Sequence, residues 1–171
     1  VTQKLDEWRS RRRPESLSIV DGLHLPLLDQ TLQIRLASGN NRIFWNESSD
    51  QQLTLCLRSP NDAGRILEKA LREKAFEHFT VRLAHFADQL GLPPPPLALS
   101  AARTRWGSCS RKTGIRLNWR LIHFPPQIVD YVVVHELAHL REMNHSPRFW
   151  AVVGQICPEY NALRTEPSTY A

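Results

Sequence analysis

HELAHLREMNH, residues 135–145, puts three histidines and two glutamates into eleven positions. His135 and His139 are four apart, so on an α-helix they stand one turn above each other, about 40° apart in azimuth. Two imidazoles so placed can converge on one ion at the roughly 2.0–2.1 Å that zinc requires. Glu136 lies about 100° round the helix from His135, poorly placed as a third ligand but able to reach a water on the ion's open side. HExxH thus supplies two ligands and one general base from a single turn. A shuffled chain of this composition would carry the motif in roughly 1 case in 60, so its surroundings must separate a metal site from surface histidines. The preceding IVDYVVV is an apolar helical segment that would bury the start of this helix, where polar rings need partners.

A catalytic zinc usually keeps three protein ligands and one open position. His145 stands ten after His135, the spacing of the third histidine in HExxHxxGxxH, but Glu142 occupies the glycine position that turns the chain there. Asn144 tolerates the left-handed conformation that ends a helix, so the sequence predicts a helix to about Met143, reversal at Asn144, and delivery of His145 to the metal. The competing role for His145 is a cap on the helix opened by Pro147. Glu142 and Glu159 are alternative third or supporting carboxylates.

Working outward, Pro125 and Pro126 suit the first turn of the motif helix. Before them, residues 98–124 read as two strands around a turn at Lys112–Gly114, and four prolines separate these from a long helical pattern over Asp62–Leu90. Asn61 or Asp62 can cap that helix, and Gly91 stops it. From Ser18 to Leu57, short alternating runs (SLSIV, LQIRLA, NRIFWN, QLTLCL) separated by turn residues predict an antiparallel meander of about four strands. The expected class is α+β, with a β-rich part over 1–60 and a catalytic core over 61–171, together one compact unit.

The 171 residues suffice for one ordinary domain. No apolar run approaches a membrane span, and VTQKLDEWRSRRRPES has no signal-peptide character. Three scattered cysteines without CxxC spacing argue against a disulfide framework and a Cys-based zinc site, so a cytoplasmic setting is expected. The net charge of +5 is modest, but Arg103, Arg105, Arg111, Lys112, Arg116 and Arg120 follow one another with no acidic residue among them.

RWGSC, the strand IRLNWRL, the proline-led helix with VVHELAHL, and NHSPRFW together closely resemble the YgjP-like metallopeptidase-domain family, a zincin relative of the SprT-like and WLM groups. The resemblance is strongest over residues 103–150. It implies a zincin-like fold, zinc on His135, His139 and His145, and Glu136 as catalytic base. The leading expectation is a zinc metallopeptidase in which Glu136 activates a zinc-bound water against a carbonyl, with the edge of GIRLNW available to an extended peptide. The alternative directs the same water at a nucleoside triphosphate of the UTP type, with Arg105, Arg116 and Arg120 on phosphates, Trp106 and Trp119 stacked on the base, and Asn118 as a further substrate-binding candidate. On a strand over 115–120, Arg116 and Arg120 would share a face. Hydrolysis of nucleic-acid-associated protein, with RSRRR and the 103–120 run touching backbone phosphates, is the less favoured reading. A purely structural zinc site would have no use for Glu136.

Overall fold

The computed structural model describes residues 19–46 and 51–165. The basic RSRRR, most of SLSIV and the turn after Asn46 lie outside them. Among the described residues two small sheets and four α-helices build an α+β structure, with buried apolar residues from Leu25 to Leu163 in one cluster.

The first sheet contains β1 (His24–Leu27), β2 (Gln30–Ser38), β3 (Arg42–Asn46) and β4 (Gln52–Leu57), in the order β1-β2-β4-β3. It is not the expected antiparallel meander: β4 inserts between β2 and β3 and runs parallel to β2, with Ile34 opposite Leu53 and Leu36 opposite Leu55. The reason lies in side-chain burial. Leu32, Ile34, Leu53 and Leu55 are fully buried, so β2 and β4 take the two central places. β3, whose inward Ile43 and Trp45 are only half-buried and whose Phe44 is exposed, takes an edge. β1 carries Pro26, which points to an edge strand or no strand at all, and it is indeed the other edge. Its turn docks on the 3-10 segment that follows the second sheet: Leu28 N–H donates to Ile122 O (2.8 Å), and His123 Nδ1 lies 2.7 Å from Pro26 O.

Helix α1 (Ala63–Gln89) spans 27 residues. A 3-10 turn at Pro60–Asp62, capped by Ser59 Oγ, leads into it, so neither Asn61 nor Asp62 caps the helix with its side chain. Its buried stripe runs from Ala63 through Ile66, Ala70, Phe79 and Leu83 to Ala87, the 3-4 spacing of one helix face. Gly91 (φ +68°) ends it as expected, with Leu92 N–H returning to Ala87 O.

The second sheet has β5 (Leu97–Ser100), β6 (Gly107–Ser110) and β7 (Gly114–Asn118) in the order β5-β7-β6, with β7 antiparallel to β6 and parallel to β5. Gly114 (φ +90°) closes the β6–β7 hairpin, where a Cβ would run into the Pro96 carbonyl. A 3-10 helix, Trp119–His123, follows β7 directly, so Arg116 and Arg120 do not share a strand face. Since β7 is paired on both sides, its edge is closed to a peptide, and the open edges belong to β5 and β6.

Three further helices follow among the described residues: α2 (Pro126–Ala138), α3 (Pro147–Ile156) and α4 (Tyr160–Thr165). Among the described residues no helix is long and apolar enough to cross a membrane.

Candidate metal centre

Helix α2 starts where Pro126 occupies the first helical position, needing no amide donor, and Ile128 N–H donates to Pro125 O. Its β-branched run has poor intrinsic helix propensity, but Ile128, Val129 and Tyr131–Val134 are all buried. A helix apolar on every side belongs in a core. Its one acidic residue before the motif, Asp130, is held by Arg82 of α1 in a two-pronged ion pair (Nε to Oδ1 2.8 Å, Nη2 to Oδ2 2.9 Å). This pair fixes α2 along α1 and therefore the azimuth of the histidines one turn further on.

His135 and His139 lie on one face with ring centroids 5.1 Å apart. The chain beyond them differs from expectation. The regular helix ends at Ala138, and the backbone tightens: His139, Leu140 and Arg141 N–H groups donate three residues back, to Glu136, Leu137 and Ala138 O. This tighter winding exhausts the helix before Met143. Asn144 keeps a negative φ, so no left-handed turn is made there. Arg141 anchors the link by donating to Leu90 O at the end of α1. Extended Ser146 then redirects the chain and caps α3, its Oγ accepting from Phe149 N–H at 3.3 Å. The cap of α3 is thus Ser146, and His145, though exposed, lies beside His135 and His139.

His145 reaches ring-centroid distances of 4.8 Å from His139 and 5.2 Å from His135. One ligand atom from each of the three imidazoles lies within 4.8 Å of the others, and among the described residues this is the group that could hold a metal ion. A tetrahedral ion with bonds of about 2.1 Å has ligand atoms about 3.4 Å apart, so small side-chain rotations bring the set onto one ion. Three neutral nitrogen donors are a suitable set for such an ion. Neither Glu142 nor Glu159 joins this group; Glu159 instead hydrogen-bonds Cys157, whose thiol burial and that neighbouring carboxylate push up to about 11.

Aromatic rings fix the imidazoles. Phe149 is fully buried and sits 4.6 Å from His139, stacked, and 4.8 Å from His145. Trp150 stacks on His145 (6.0 Å, 25°), and Tyr160 stacks on Trp150 (5.3 Å, 15°). Glu136 is buried at 7% exposure, with Oε2 3.3 Å from His135 Nδ1. It lies against the first residue of β6: a Cβ on Gly107 would stand 3.0 Å from Glu136 Cγ and Oε2. Cys109, two residues along the same strand face, feels this carboxylate. Burial first, and then the Glu136 charge, push its thiol up to about 11.

The residues expected around a substrate are not gathered at this face. Asn118 is fully buried and structural: its Nδ2 donates to Ala102 O (2.9 Å) and Arg105 O (3.5 Å), while its Oδ1 accepts from Arg120 N–H. Trp106 is buried edge-on against Phe124. Arg120 lies over the Trp119 ring, which Arg72 of α1 also approaches. Arg105 is exposed in the loop before β6, and Arg116 is exposed on β7 between the buried Ile115 and Leu117, on the sheet face opposite Glu136. The sequence reading assigned no role to Gly107, Phe149, Trp150 or Tyr160. Gly107 had a legible signal, since a lone glycine within a strand pattern marks a close approach.

A UTP pyrophosphatase of Escherichia coli (strain K12) is 31% identical over 67 residues, which cover 39% of this chain and 40% of that protein. The chain is also similar to the crystal structure of the metallopeptidase zymogen of Pyrococcus abyssi abylysin, at 24% identity over 54% of this chain and 99% of that one, with a TM-score of 0.45. The YgjP-like, metallopeptidase domain family matches residues 1–166, nearly the whole length, including all three histidines and Glu136. The chain therefore belongs to the YgjP-like metallopeptidase-domain family of metal-dependent hydrolases.

Proposed function

We propose that this chain is a zinc-dependent, metallopeptidase-like hydrolase in which His135, His139 and His145 hold the ion and Glu136 is the general base. The observation that carries this reading is the convergence of three imidazoles beside a buried carboxylate from the same helical turn. Zinc, when bound, supplies Lewis acidity, lowering the pKa of a bound water towards about 7 and polarising a carbonyl. Glu136 takes the proton from the attacking water and returns it to the departing amine. Its wall of Gly107 backbone holds the carboxylate in place, and Trp150 with Phe149 orients the imidazoles. The open edge of β6, which begins at that wall, suits main-chain pairing with an extended peptide. This supports a peptide substrate.

Chelation should abolish hydrolysis, zinc should restore it, and Glu136→Gln should remove it with the metal still bound. Activity persisting in that variant would end the assignment of Glu136. Screening zinc-loaded protein against casein-like peptides and nucleoside triphosphates decides the substrate class. The second reading, pyrophosphatase action on a nucleoside triphosphate, draws on the name of the E. coli relative; turnover of triphosphates without peptide cleavage would favour it.

A further inference from the structure

The face of the second sheet that looks away from Glu136 is a basic platform without a role in this chemistry. Strand alternation divides the residues. Gly107 and Cys109 pair with Leu117 and Ile115 and face the core, whereas Ala98, Arg116 and Ser108 pair in a row on the other face. Arg116 therefore stands among small side chains that leave it open, and it is exposed. Arg111 and Lys112 are exposed at the hairpin turn, and Arg103 and Arg105 are exposed in the loop at the opposite end. That loop is pinned over the sheet by Asn118 and by Ala102 N–H donating to Ser100 Oγ (3.0 Å). At about 3.3 Å per residue, the two ends of β7 are about 13 Å apart, so the cations form a line rather than a point.

Among the described residues these cations also lack counter-charges. No acidic residue stands between Asp88 and Asp130 in the chain. Among the described residues no carboxylate forms an ion pair with Arg103, Arg105, Arg111, Lys112 or Arg116, whereas Arg65, Arg72 and Arg82 on α1 are each paired. Four of the five are arginines, whose planar forks match phosphate oxygens.

We propose that this face binds the phosphate backbone of a nucleic-acid duplex, independently of base sequence and of the metal centre. A membrane surface fits less well, because none of the exposed large hydrophobic side chains among the described residues (Val20, Phe44, Phe76, Val81, Met143) lies on this face to enter a bilayer. Single strands gain nothing over duplex here, since Trp106 and Trp119, which could stack on bases, are buried. Arg116, at the centre of this line, faces away from Glu136, so a duplex centred on it leaves the hydrolytic side open.

The test is fluorescence anisotropy of a labelled random-sequence DNA duplex with the full chain, over a salt series. At about −0.9 in log K per neutralised phosphate, five contacts weaken binding about 500-fold between about 50 and about 200 mM salt. In Arg111→Ser/Arg116→Thr the same interval should cost only about 40-fold. A charge-matched control on α1, Arg65→Ser/Lys69→Ser, should retain the parental slope, as should the parental chain treated with a chelator. An unchanged slope in the platform variant, equal loss in the control, absence of duplex binding at low salt, or binding to phosphatidylserine vesicles in place of duplex would each overturn the proposal. Because chelation and Glu136→Gln leave this readout untouched, its failure is distinct from failure of the hydrolase assignment.

Discussion

Gly107→Ala tests how tightly Glu136 must be held. Gly107 is not in the left-handed region, so alanine meets no backbone obstacle. Its Cβ would stand 3.0 Å from Cγ and Oε2 of Glu136 and 3.2 Å from Cδ, where carbon contacts relax at about 3.5–4.0 Å. Something must move by about 0.5 Å. Cγ lies near the helix backbone, so the carboxylate cannot simply swing clear and must shift with its stem. A misplacement of about 1 Å can cost about 100-fold in rate, so kcat should fall about tenfold. This is far less than the roughly 100- to 10,000-fold expected on deleting a general base. Overpacking should cost about 1–2 kcal/mol, a melting shift of about 3–6 °C for a chain of this size. Metal content should be unchanged. The decisive assay is a double-mutant cycle: Gly107→Ala should add nothing further in a Glu136→Gln background. If the two losses multiply, or if Gly107→Ala keeps full kcat, the contact between β6 and Glu136 does not position the base.

Trp150→Ala should weaken metal binding about 10- to 100-fold, as loss of a ligand's supporting partner does, while Trp150→Phe keeps most of the affinity; competition with a chromophoric chelator reads both. Arg82→Ala, which leaves the half-buried Asp130 without its two charged hydrogen bonds, should cost about 1.5–3 kcal/mol in urea denaturation. Burial, with the Arg82 charge adding to it against the opposing charges of Asp130 and Glu77, holds the His78 imidazole below its ordinary value of 6.5. The unfolded chain then binds the proton more readily, so stability is lost as pH falls below about 6.5. Melting temperatures of His78→Gln should fall less steeply over that window, and parallel curves for variant and parent would refute this.

The histidine motif was legible because its convergence is local: one helical turn fixes His135, Glu136 and His139 together. His145 was legible by spacing but not by route. The tight winding after Ala138 and the redirecting cap at Ser146 depend on Arg141 gripping α1 and on Phe149 entering the core, contacts that no window of residues 135–145 contains. The strands β2, β3 and β4 were recognisable from alternation, yet their order was not, because insertion of β4 between β2 and β3 is decided by which faces share one core. Trp106 and Asn118 were open to two readings for a related reason. Their side chains fit a binding site as well as they fit a buried loop anchor, and only tertiary burial separates the two.

If the three histidines hold the ion as proposed, the link between Ala138 and Ser146 also orders assembly in time. A chain that has formed α2 alone already presents His135 and His139 and can grip an ion weakly with two nitrogens. The third arrives only when Phe149 slots into the core and carries Ser146 and His145 with it. Tight metal capture is therefore a reporter on the docking of α3, and a stopped-flow refolding experiment with a metal-sensitive dye would see the gain in affinity lag behind helix formation.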